Sequence, residues 1–133
     1  MDPKDFVYLH AHSHYSLLEA LPKPKTLIAR AKSLGMSALA LTDNGALYGA
    51  VEFFKACKDQ EMKPIIGADI YLAPHLMTDR RGRIDDRPHR LVLLVQNAVG
   101  YRNLLRIVST GFLEGFYYKP RVDKPFLDRK SVV

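Results

Sequence analysis

Three short, almost unbroken apolar runs constrain this chain more than anything else in it. They are "SALALT" at 37–42, "KPIIGADIYLA" at 63–73 and "RLVLLV" at 90–95. Strands that read apolar along their whole length are covered on both faces, which is the habit of parallel sheets flanked by helices. A further run, "FVYL" at 6–9, is rich in aromatic and branched residues and predicts a buried first strand that feeds straight into His10. Between the runs the spacing turns helical. "PKPKTLIARAKSLG" sets Leu27, Ile28, Ala31 and Leu34 along one side, with Gly35 as the stop. "ALYGAVEFFKACKDQEM" sets Leu47, Val51, Phe54 and Cys57 or Lys58 on successive turns. "NAVGYRNLLRIVSTGFLEGF" sets Leu104, Leu105, Val108 and Phe112 on one face. Strand, helix, strand, helix, strand, long loop, strand, helix predicts an α/β fold, a parallel sheet or barrel. Gly67, inside the third strand, predicts a bulge or a close backbone approach. The segment "PHLMTDRRGRIDDRPH" predicts a loop or β-ribbon extension.

The totals bound what such a chain can do. At 133 residues it suits one domain, and 47% hydrophobic and 26% charged residues are ordinary globular values. No apolar run approaches the ~18 residues of a membrane span. The opening "MDPKDF" lacks a signal peptide's apolar segment, so a cytoplasmic protein is expected. Cys57 is the one cysteine, which excludes an internal disulfide and predicts a core thiol. The net charge of +6 favours a polyanionic partner weakly. Much of it is local: Arg80, Arg81, Arg83, Arg87 and Arg90 in one segment, and Lys119, Arg121, Lys124, Arg129 and Lys130 in the tail. Either cluster reads equally as a solvated surface or as phosphate contacts.

The chemistry-bearing stretch is "LHAHSHYS" at 9–16, which holds three of the five histidines. On an extended chain, residues two apart point to one side, so His10 and His12 at a strand end can converge on one point. Imidazole is the commonest metal ligand. In α/β folds, ligand sites gather where the C-terminal ends of strands meet the loops that follow. Here the first strand ends at His10 and His12, the second at "TDN" with Asp43, and the third carries Asp69. Histidine and carboxylate without cysteine suit zinc, manganese or iron, and such ions activate water and neutralise phosphate-ester oxygens. No phosphate-cradling glycine loop, Ser-His-Asp arrangement or HExxH helix is present. His14 is expected as a polar neighbour and His75 as solvent-exposed. Tyr15, Tyr48, Phe53, Phe54, Phe112 and Phe116 are expected to pack rather than stack on bases.

The segment from "LHAHSHYSLLEALPKPKTLIARAKSLGMSALALTDNGALYGAVEFFKACKDQEM" through "KPIIGADIYLA" resembles the opening of the PHP (polymerase and histidinol phosphatase) domain. The later "HRLVLLVQNAVGYRNLLRIVSTGFLEGFYYKPRVDKPFL" is similar to the version at the N-terminus of bacterial DNA polymerase III alpha subunits. The resemblance spans about residues 6–127. It implies a distorted (β/α)7, TIM-like barrel, incomplete in this chain, with a zinc or manganese cluster at the strand ends. It also implies phosphoesterase chemistry, 3′–5′ exonuclease activity in some members, and DNA and other polymerase III subunits or the polymerase body as partners. His10 and His12 match the family's HxH ligands, Asp43 the aspartate of its "TDH" motif, and His89 a further ligand histidine. Glu19 stands where the family has aspartate, Asp69 where it has glutamate, and Asn44 where it has a ligand histidine. Each carboxylate exchange moves the charge by about one methylene, large against metal–ligand tolerances. An amide is a poor substitute for imidazole on a zinc-like ion.

The pattern along the chain gives three βα units at 1–73, a charged loop or ribbon at 74–89, a strand and helix at 90–116, and a basic tail at 117–133. The family's remaining ligands fall beyond residue 133, and a full barrel takes about 250 residues. The expectation is therefore a chain that stops short of closure, is inactive alone, and self-associates through an open edge. Two other readings compete with a metal-dependent phosphoesterase segment. One is a non-catalytic module that braces a polymerase, which Asn44 favours. The other is a free-standing phosphatase or basic nucleic-acid-binding fragment; "GFYYKPR" argues against the phosphatase.

Overall fold

The computed structural model describes residues 2–129. Its helices are α1 (Pro24–Ser33), α2 (Ala50–Asp59), α3 (Ala98–Leu113) and α4 (Lys124–Arg129). Its strands are β1 (Ala38–Leu41), β2 (Lys63–Leu72), β3 (His89–Leu94) and β4 (Arg121–Val122). The order is mixed α/β, with 3-10 turns at Pro3–Asp5 and Gly82–Ile84.

Two helices end in the same way. After α1, Gly35 at φ 81° lets its own N–H reach the Lys32 carbonyl while the Met36 N–H reaches that of Ala31. After α2, Glu61 at φ 54° repeats the pattern, with its N–H on Lys58 and the Met62 N–H on Cys57. Both are Schellman ends, which close the helix and turn the next side chain back onto it. Met62 is buried and Met36 packs against the same cluster. α1 starts with Pro24 at its first turn, where a missing N–H costs nothing. α3 is capped by the Asn97 side chain, which accepts from the Gly100 N–H at 3.0 Å.

β2 organises the sheet. Its first half pairs in parallel with β1, from Ala38 opposite Lys63 to Leu41 opposite Ile66. Its second half pairs with β3, from Gly67 opposite Leu94 to Leu72 opposite His89. That second pairing is antiparallel, which corrects the all-parallel expectation. No helix intervenes between β2 and β3, only the charged ribbon, and a connection without a crossover brings the chain back antiparallel. β4 joins β2 in parallel at Tyr71 and Leu72. The tail expected to be aperiodic thus supplies a strand and a short helix; Lys130 lies outside the described residues.

The expected first strand is reduced to a single parallel bridge, Tyr8 to Leu39, with Ala40 N–H on the Tyr8 carbonyl and Thr42 N–H on that of Ala11. Phe6, Tyr8 and Leu9 are exposed rather than buried, because only one neighbour covers this edge. Gly67 confirms the close approach read from the sequence: a Cβ there would stand 2.4 Å from the Leu93 carbonyl oxygen.

One face of the sheet carries two apolar clusters. Leu39, Leu41, Ile28, Phe53, Ala56 and Cys57 form the first; Ala68, Ile70, Leu104, Ile107 and Val122 form the second. The buried stripes differ from the expected ones. α2 buries Ala50, Phe53, Ala56 and Cys57 while Val51 and Phe54 are exposed; α3 buries Leu104 and Ile107 while Leu105 and Phe112 are exposed. Tyr48 and Phe116 are exposed as well. Burial pushes the Cys57 thiol up to about 11. Alternation along β2 turns Gly67, Asp69 and Tyr71 to the other face, and the candidate site is there.

Arg121 is fully buried and ties the ribbon to the C-terminal segment. It donates to the carbonyls of Gly115, Asp85, Met77 and Asp79 at 2.9–3.0 Å. This overturns both readings of Arg121, as a solvated tail cation and as a phosphate contact. Among the described residues no helix is long and apolar enough to cross a membrane.

Candidate metal centre

His10, His12 and Asp69 converge. The first two sit on the segment that follows the Tyr8 bridge, and Asp69 is in the middle of β2. Asp69 Oδ2 lies 2.8 Å from His10 Nε2 and 3.5 Å from His12 Nε2, and the two Nε2 atoms are 3.2 Å apart. The rings meet edge to face, with centroids 4.8 Å apart. All three donor atoms fall within 4.8 Å of one another. A tetrahedral ion with bonds of ~2.0–2.1 Å needs donors about 3.3 Å apart, so these three can share one cation without large movement. Two imidazoles and a carboxylate are a donor set for a divalent transition-metal ion.

Asp69 is almost wholly buried and is also held by Arg90. The guanidinium donates from Nε to Oδ1 at 3.0 Å and from Nη2 to Oδ2 at 2.8 Å, a two-pronged fork. Burial alone would raise the Asp69 pKa; the bonds from Arg90 and then His10 outweigh it and hold the carboxyl below its ordinary range. Arg90 lies over the Tyr71 ring, 4.5 Å from its centroid, and its Nη2 also donates to Asn44 Oδ1. The other end of the Asn44 amide donates to Glu19. Thus Asn44 bridges an arginine and a carboxylate where the resemblance implied an imidazole.

The remaining expected ligands lie outside the three-donor group. Asp43 is buried and accepts from the Ser13 N–H at 2.6 Å, the Ser13 hydroxyl at 2.7 Å and the Ser16 hydroxyl at 2.7 Å. Ser16 Oγ in turn accepts from the Asn44 N–H. Glu19 is exposed and engaged with Asn44. His89 pairs with Leu72 in β3, so alternation turns it to the sheet face opposite Asp69. Arg90, its neighbour, takes the site face instead. His14 is half-buried against Tyr15, His75 is exposed, and Arg102 and Arg106 face water. Sequence reading missed Ser13, Ser16 and the role of Arg90. The signal for the serines was their spacing around the histidines; Arg90 was one of five arginines in a charged run.

A family model described as "PHP domain" matches residues 8–132. The chain belongs to the PHP domain family. This PHP chain is 46% identical over 127 residues to the DNA polymerase III subunit alpha of Chlamydia pneumoniae, covering 95% of the chain and 10% of that protein. It is 47% identical over 123 residues to that of Treponema pallidum, covering 92% and 10%. The Aquifex aeolicus subunit is 37% identical over 132 residues. The chain therefore spans about a tenth of the length of the curated relatives it matches. A solved Bifidobacterium adolescentis structure, of a candidate metal-dependent phosphoesterase, superposes with a TM-score of 0.55 at 16% identity. It covers 81% of this chain and 35% of that one, and at that identity it speaks for the fold alone.

Proposed function

We propose that this PHP chain is the N-terminal segment of a bacterial DNA polymerase III alpha subunit, and that His10, His12 and Asp69 hold a divalent ion. The observation that carries the metal reading is the convergence of two imidazoles and one buried carboxylate around a single point. The polymerase reading is supported by the named relatives, which match the chain over more than nine-tenths of its length. With it come a distorted, seven-fold TIM-like barrel, the four divisions read from the sequence, a cytoplasmic protein, and DNA and other replication subunits as partners.

Zinc or manganese at this centre would polarise a phosphate ester and activate water for its hydrolysis. The chain's own residues orient the donors. Asp43, Ser13 and Ser16 fix the loop that presents His12, and β2 fixes Asp69. A non-catalytic bracing module is the second reading. It is favoured by Asn44 and by the Arg90 fork, which already engages both oxygens of Asp69.

Calorimetric titration tests the proposal. The chain is expected to bind zinc or manganese weakly and to hydrolyse no detectable phosphodiester. The His10→Ala, His12→Ala double variant is expected to bind neither ion. Binding that survives the double substitution would remove the centre, and turnover lost in the same variant would overturn the expected inactivity.

A further inference from the structure

Nothing in the family resemblance assigns a part to Arg90. Its register does: paired with Tyr71 in β3, it projects on the same sheet face as Asp69. Its guanidinium makes two bonds to the Asp69 carboxylate, a third to the Asn44 amide, and a face contact with Tyr71. Asp69 Oδ2, the oxygen that faces both histidines, is one of the atoms it occupies. A divalent ion needs that same oxygen. It would also have to approach a fixed positive charge, and two cations in contact repel.

We propose that Arg90 is a resident cation of the centre, which neutralises Asp69 and competes with a divalent ion for it. Asn44 is part of the same device. Its carbonyl accepts from Arg90 and its amide donates to Glu19, so the residue in the usual histidine position stabilises the arginine. The inference rests on the metal-centre reading. It adds that metal entry requires the guanidinium to leave.

Zinc and manganese titrations by calorimetry on the full chain compare the wild type with Arg90→Gln, alone and combined with His10→Ala and His12→Ala. Arg90→Gln is expected to bind either ion roughly 10- to 100-fold more tightly, the scale on which groups bonded to a ligand move metal affinity. The gain is expected to vanish without the histidines. Equal or weaker binding by Arg90→Gln, with wild-type binding still dependent on the histidines, overturns the role of Arg90 and leaves the centre standing. Absence of binding in every form, or binding indifferent to the histidines, overturns both. A measurement on the wild type guards against a misfolded variant: the Arg90 Nε–H resonance is expected to lose its hydrogen-bonded shift as zinc is added. A resonance unchanged at saturating zinc overturns the competition.

Discussion

Asp43 commits its carboxylate to the loop that carries the histidines. One N–H and two hydroxyls end on it, and all three donors belong to buried or nearly buried serines. Replacing it by alanine leaves those donors unsatisfied, each at a cost of about 1–3 kcal/mol. Asp43→Ala is therefore expected to lose about 2–4 kcal/mol in urea unfolding and to release the His12 loop. Unchanged stability would mean that the serines find water instead. His10, His12 and Asp69 were legible as a group because the HxH pair follows the Tyr8 bridge and Asp69 stands within a strand. Asp43 was legible as important, but its part was not. A buried aspartate that holds serines and one that holds a metal look alike in sequence, and only the partners differ.

Among the elements, three of the four apolar runs and the three helical stretches appeared close to their expected bounds, while the run at 6–9 shrank to one bridge and the directions and faces of the others differed. "RLVLLV" has no sequence mark that says which way it runs against β2; the uncrossed ribbon decides it. In α2, apolar residues occupy two adjacent stripes. Val51 and Phe54 compete with Phe53 and Cys57 for the inward position, and packing against α1 and β1 favours the second pair. Gly67 was readable because a glycine within a strand demands a reason. Its Cβ would meet a backbone oxygen, which cannot swing aside as a side chain can. Gly67→Ala is expected to cost about 1–3 kcal/mol, with the loss concentrated in the β2–β3 pairing. Hydrogen exchange checks this: faster exchange confined to β3 amides supports it, and a uniform change does not.

At the scale of the molecule, the joint between the ribbon at 74–88 and the C-terminal segment rests on Arg121 and on Asp123, whose Oδ2 accepts from the Met77 N–H at 2.9 Å. Arg121 satisfies four carbonyls from both sides of that joint, and burial lowers its pKa more than its charged neighbours raise it. Arg121→Met keeps much of the volume and orphans those carbonyls. A loss of about 3 kcal/mol or more is expected in urea unfolding, with the ribbon becoming sensitive to protease. Resistance equal to the wild type would show that the segments hold without it. Nothing in a tail rich in lysine and arginine distinguished this arginine, since its partners are main-chain atoms that any residue would offer. Arg90 and Arg121 consequently differ in their response to ionic strength. Small ions reach the exposed flank of Arg90 and loosen its grip on Asp69, whereas Arg121 is answered by peptide dipoles in a place those ions do not enter. Concentrated electrolyte would loosen the Arg90–Asp69 contact while leaving the Arg121 joint intact.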